Sequence, residues 1–180
     1  MSIRRLIPSI LGVNLILWSL PDFVIQPIFH FPQVDAFMVT FRIVFTSMLA
    51  LSYISFMWGF KILGETFDNI NLQRASYAAI IFASLNFLVI VLRLDMLGGQ
   101  AVLVRVVMSV LFGFILIFLG AAFMDFGMLF RPYTFLAGIL NIAAGLSYIS
   151  QIYINTGMTL TVPIYIVEII VLLKAAQEET

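Results

Sequence analysis

Glu168, Arg42 and Arg105 are the residues best placed to do chemistry, because each interrupts a run of otherwise apolar residues. Glu168 sits in the middle of TVPIYIVEIIVLLK, residues 161–174. A carboxylate inside a membrane-spanning helix costs roughly 3 kcal/mol or more when nothing compensates it. It therefore implies a partner, a water-filled pocket or a retained proton. Arg42 and Arg105 are the candidate partners, and with two guanidiniums available the expectation is an ionised Glu168. Asn86 adds a hydrogen-bonding amide. Two cations against one carboxylate leave surplus positive charge, which suits an anionic headgroup or a small anion. A purely structural ion-pair network is the alternative, and snorkelling could carry either arginine to the interface alone.

Other chemistries lack their residues. The chain has one histidine, His30, and no cysteine. That leaves no bis-histidine haem, HExxH zinc site, thiolate metal site or iron–sulfur cluster, so neither a metal nor a cofactor is expected. No G-x-S-x-G and no Gly-rich phosphate loop occurs. Lys61 and Lys174 fall at segment ends, away from any midplane Schiff base. The formal charge of +0 gives no electrostatic case for nucleic acid. The expectation is a protein that is not an enzyme.

The elements that must position these residues are helices in a bilayer. The chain has 180 residues, 63% hydrophobic and 10% charged, whereas soluble domains are about 45–50% apolar and about 25% charged. The expected fold is all-α, a single polytopic bundle spanning residues 1–180, in contact with lipid. Six segments have the roughly 20 apolar residues that a span needs: 6–27, 37–60, 72–93, 101–123, 132–153 and 159–175. The first resembles a signal peptide but lacks a small-x-small cleavage site, so it is read as a retained helix. Turn chemistry marks the joints at Gly64 with Asp68-Asn69, at Gly98-Gly99, at Gly127 and at Asn155-Gly157. Residues 21–36, with three prolines, read as a kinked helix end at the interface; a re-entrant lid is the alternative.

With six spans, Arg4, Arg5, Lys61, Arg74, Arg131 and Lys174 share one side, leaving Arg93 opposite, with Arg42 and Arg105 just inside the helix mouths there. The positive-inside rule makes the first side cytoplasmic and places both termini on it. Counting from the outer ends puts Arg42 roughly 9 Å down its segment. Arg105 and Asn86 lie at similar depth, and Glu168 slightly deeper. At 100° per residue, Arg105, Ser109, Gly113 and Gly120 share a stripe, as do Gly138, Asn141, Gly145 and Tyr148. Small residues let helices approach, so Gly113, Gly120, Gly138 and Gly145 predict a close hairpin between segments 101–123 and 132–153.

Arg131-Pro132 opens LAGILNIAAGLSYI, and a short turn leads to Pro163 and the Glu168 helix. This Pro, Leu-x-Gly, Gly-x-x-Tyr, Pro…Glu run over residues 131–174 resembles an uncharacterised bacterial family of small six-helix membrane proteins, a domain of unknown function. The chain departs from it after Glu168, where IIVLLKAAQ replaces a tryptophan-containing helix. The resemblance implies a bacterial inner (plasma) membrane location and no activity. Two functions stay open: binding or transport of a small or lipidic anion in an outer-half pocket, and a structural or accessory subunit with no ligand of its own. Either is compatible with a membrane partner subunit or a homo-oligomer. A compartment reporter fused to either terminus is expected to report the cytoplasm; a periplasmic signal at one end would overturn this topology.

Overall fold

The computed structural model describes residues 36–92, 100–126 and 131–177. Five helices fill them: α1 (Ala36–Thr66), α2 (Ile70–Val91), α3 (Gln100–Met124), α4 (Arg131–Ser150) and α5 (Ile154–Gln177). All five are long and apolar enough to cross a membrane. Their apolar residues run around the whole helix, as befits a surface covered partly by neighbours and partly by lipid. Large side chains such as Leu51, Val102, Leu103 and Phe114 are accordingly exposed. Segment 6–27, the stretch 21–36 save its last residue, Arg93 and the joints at Gly98-Gly99 and Gly127 lie outside the described residues.

Successive helices run antiparallel. Asp68 takes a positive φ of 52° and ends α1. The next residue, Asn69, caps α2 by accepting from the Leu72 N–H at 2.9 Å. Its amide also donates to the Ala122 carbonyl at 3.2 Å, and Asn71 donates to Asp125 at 2.9 Å. Those two bonds tie the α1–α2 turn to the end of α3. Lys61, Arg74, Arg131 and Lys174 therefore share one end of the bundle, the basic end. There Lys61 pairs with Glu65 at 2.6 Å and lies 4.9 Å from the centre of the Trp58 ring. An amphipathic ring beside a lysine is the combination found at membrane–water boundaries.

The main core fills the basic half. Phe56, Phe60 and Phe123 meet edge-to-face at 5.1 Å between successive ring centres and are fully buried, with Leu63, Leu72 and Val171 around them. Leu116, Ala144, Tyr148 and Ile164 form a smaller cluster toward the other end.

Two boundaries differ from the sequence reading. The last helix begins at Ile154 rather than at 159, and the turn before it falls at Gln151, whose φ is 58°. Pro163 is consequently inside α5 rather than near its start. The Asn155-Gly157 pair is not a joint either. Gly157 is a packing position, since a Cβ there would stand 3.1 Å from the Tyr148 ring and 3.3 Å from the Ala144 carbonyl oxygen. Two threonines between Gly157 and Pro163 bond back to their own helix, Thr159 to Asn155 O and Thr161 to Met158 O. Such hydroxyl bonds help a membrane helix accommodate an internal proline.

The closest helix contact joins α3 to α4. A Cβ on Gly113 would stand 2.6 Å from the Gly145 carbonyl oxygen, and one on Gly120 equally close to that of Gly138. The approach is mutual, because a Cβ on Gly145 would meet the Gly113 carbonyl oxygen at 2.5 Å. Backbone cannot yield there as a flexible side chain can. Gly138→Leu and Gly145→Leu should each destabilise the protein by about 1–3 kcal/mol through overpacking. Thermal unfolding in detergent measures this, and wild-type stability in both variants would contradict the contact.

Candidate functional site

Glu168, on α5, is 1% exposed, and the side-chain hydrogen bond it accepts comes from α4. The Asn141 amide donates to Glu168 Oε1 at 2.9 Å and to the Ala137 carbonyl at 3.0 Å. Asn141 is itself fully buried on the α4 face that carries Gly138 and Gly145. One amide hydrogen thus satisfies its own helix and the other crosses to the carboxyl. Beside the pair lies a void of about 10 Å³, lined by Tyr53 from α1, by Phe112, Leu116 and Leu119 from α3, and by Thr161 and Tyr165 from α5.

The structure does not bring Glu168 to the level of Arg105. Gly113 opposite Gly145 and Gly120 opposite Gly138 set the α3–α4 register. In that register Asn141, and with it Glu168, stands level with residue 117 of α3. Arg105 is twelve residues up the same helix, about 18 Å at 1.5 Å per residue. The shared depth expected from the sequence rested on a helix start at 159. With α5 beginning at Ile154, Glu168 is fourteen residues in, about 21 Å from that end. Arg42 lies on α1 eleven residues before Tyr53, about 16 Å along the axis; its side chain is outside the described residues.

Arg105 and Asn86 do share a site, a different one. They line a hollow of about 450 Å³ to which all five helices contribute. Its polar edge includes Thr46 and Ser109, and its walls are aromatic and aliphatic, among them Phe82, Phe87, Ile90 and Met158. Each residue's position follows from its helix. Asn86 and Arg105 are both five residues from the end of their helices opposite the basic end. Gln151, in the turn after α4, donates to Ser109 Oγ at 3.0 Å, and Ser109 donates to the Tyr148 carbonyl at 3.3 Å. Phe82 stacks on Phe112 at 5.3 Å, and Phe112 meets Tyr148 edge-on at 5.1 Å. A guanidinium beside apolar walls can take part in holding the charged head of an amphiphile while the walls take its apolar part.

The sequence places Asn141 on one stripe with Gly138, Gly145 and Tyr148 and does not connect it with Glu168. The signal was present, since Asn141 shares the Gly138–Gly145 stripe, yet the pairing depends on the register of α4 against α5. Tyr53 and Tyr165 were likewise not linked to Glu168. Among the described residues, no group of three or more His, Cys, Asp or Glu side chains could hold a metal ion. Comparison with family models, with curated proteins and with solved structures gives no match for this chain.

The geometry separates the two polar sites energetically. A double-mutant cycle of Glu168→Ala with Asn141→Ala should give a coupling of about 0.5–3 kcal/mol, and one of Glu168→Ala with Arg105→Ala should be additive within about 0.5 kcal/mol. Unfolding in detergent supplies the four stabilities of each cycle. Strong coupling to Arg105 would show that the two sites are one.

Proposed function

We propose that this integral membrane protein binds, or transports, a small or lipidic anion in the hollow that contains Arg105 and Asn86, acting by binding rather than by catalysis. The observation that carries the reading is the hollow itself. It is bounded by all five described helices, with a guanidinium and an amide on walls that are otherwise largely apolar. About 450 Å³ falls within the range of roughly 300–1,000 Å³ typical of small-ligand sites. Glu168 is not a ligand in this reading, because it lies in the core away from Arg105.

Placement in the membrane follows the charge pattern. Lys61, Arg74, Arg131 and Lys174 at one end favour a cytoplasmic basic end, with the hollow toward the outer leaflet of a bacterial inner membrane. A structural or accessory role with no ligand is the competing reading, and the tight glycine contact of α3 with α4 would serve it equally well.

Purified protein in a neutral detergent, titrated with phosphatidylglycerol, phosphatidylcholine or inorganic phosphate, separates these readings. Phosphatidylglycerol is expected to raise the wild-type unfolding temperature more than phosphatidylcholine, and Arg105→Gln should lose that difference. Stabilisation by inorganic phosphate as well would point to the free anion as the ligand. No charge-dependent stabilisation in the wild type would favour the accessory role.

A further inference from the structure

The void beside Glu168 carries an inference independent of the anion reading. Its volume of about 10 Å³ is about the room that one water molecule requires. Two buried polar atoms have no hydrogen-bond partner among the described residues, Asn141 Oδ1 and Glu168 Oε2. Both belong to side chains that line this void. The groups facing Glu168 are Tyr53 from α1, Asn141 from α4, and Thr161 and Tyr165 from its own helix, while α3 presents only apolar side chains. Among the described residues no cationic side chain lines the void.

An ionised Glu168 would leave two acceptors facing each other and a charge without a counter-ion, the costliest arrangement in a dry interior. A proton on Oε2 turns the pair into one donor and one acceptor. A single water then accepts from Oε2–H and donates to Asn141 Oδ1, which satisfies both atoms. The residues lining the rest of the void include Tyr53, Thr161 and Tyr165, and two to four polar partners are what a buried water needs.

We propose that Glu168 is an internal proton-binding site, a neutral carboxyl joined through one water molecule to Asn141. In exchange, the Oε2–H bond breaks as its proton passes to the water, the water stays in place and gives up one of its protons in turn, and a proton arriving at the same water reverses these transfers and re-forms the bond. Tyr53, Phe112 and Tyr165 line both this void and the larger hollow. A single layer of side chains therefore separates the acid from the hollow, and that layer is the route of exchange.

Infrared spectroscopy of the full chain, reconstituted in phosphatidylcholine vesicles at neutral pH, tests this. The wild type should show the carbonyl stretch of a protonated carboxyl, resolved from the ionised carboxylates. The band should shift after incubation in D2O, move when the protein is made with carboxyl-13C glutamate, and vanish in Glu168→Gln. Isotope assignment on the wild type decides the matter even if Glu168→Gln does not fold. A wild type without a protonated-carboxyl band, the outcome for a carboxylate held by a cation, overturns the proposal. A band that D2O leaves unmoved overturns the exchange.

Discussion

Hydrocarbon offers a polar group no hydrogen-bond partner, and the arrangement of this bundle follows from that constraint. Backbone groups are satisfied within the helices. Hydroxyls do the same locally: Ser47, Ser52, Ser76, Ser84, Ser147 and Thr159 each donate to the carbonyl four residues earlier in their own helix. A serine can therefore sit anywhere along a span without selecting a neighbour. Glu168 and Asn141 cannot be satisfied in this way. Their side chains are too polar to close on one helix alone, and they bond to each other across α4 and α5.

That bond depends on close packing elsewhere. Gly113, Gly120, Gly138 and Gly145 bring the α3 and α4 backbones into contact. Asn141 lies on the same α4 face, and a Cβ on Gly120 would stand 3.1 Å from its Cβ. With α3 drawn in so far, the space around the amide is small. The carboxyl then meets an amide, a few hydroxyls and a void of molecular size in place of bulk water. Tyr148 extends the same logic toward the other end, where Gly157 lets α5 pass against its ring.

The two polar sites consequently differ in kind. The Glu168–Asn141 pair is enclosed, small and without a described cation. The hollow above it is larger, contains Arg105 and Asn86, and is edged by groups that bond between α3 and the α4–α5 turn. Tyr53, Phe112 and Tyr165 border both. A change in how those three rings pack would be felt at each site, since packed side chains transmit displacement rather than absorb it.

What the amino-acid sequence determines alone is the helical, membrane-spanning character of the chain and the small-residue face of α4. Both follow from local rules, since apolar length settles whether a helix can span and a spacing near 3.6 residues gathers glycines onto one face. It also singles out Glu168 as the residue that demands an explanation, because an acid amid Ile, Val and Leu is costly wherever the helix lies. The partner of Glu168 was decided by tertiary structure. Depth counted along separate segments carries an error for each misplaced helix start, and Ile154 in place of residue 159 moved Glu168 away from the level of Arg105. Pro163 and Gly157 encouraged that error, because proline at a helix start and glycine in a turn are the commoner uses of both residues. Here the Tyr148 ring occupies the space a Cβ on Gly157 would need. No local pattern in the sequence encodes which ring will pack there, so the register of α5 against α4, and with it the acid–amide pair, exists only in the assembled bundle.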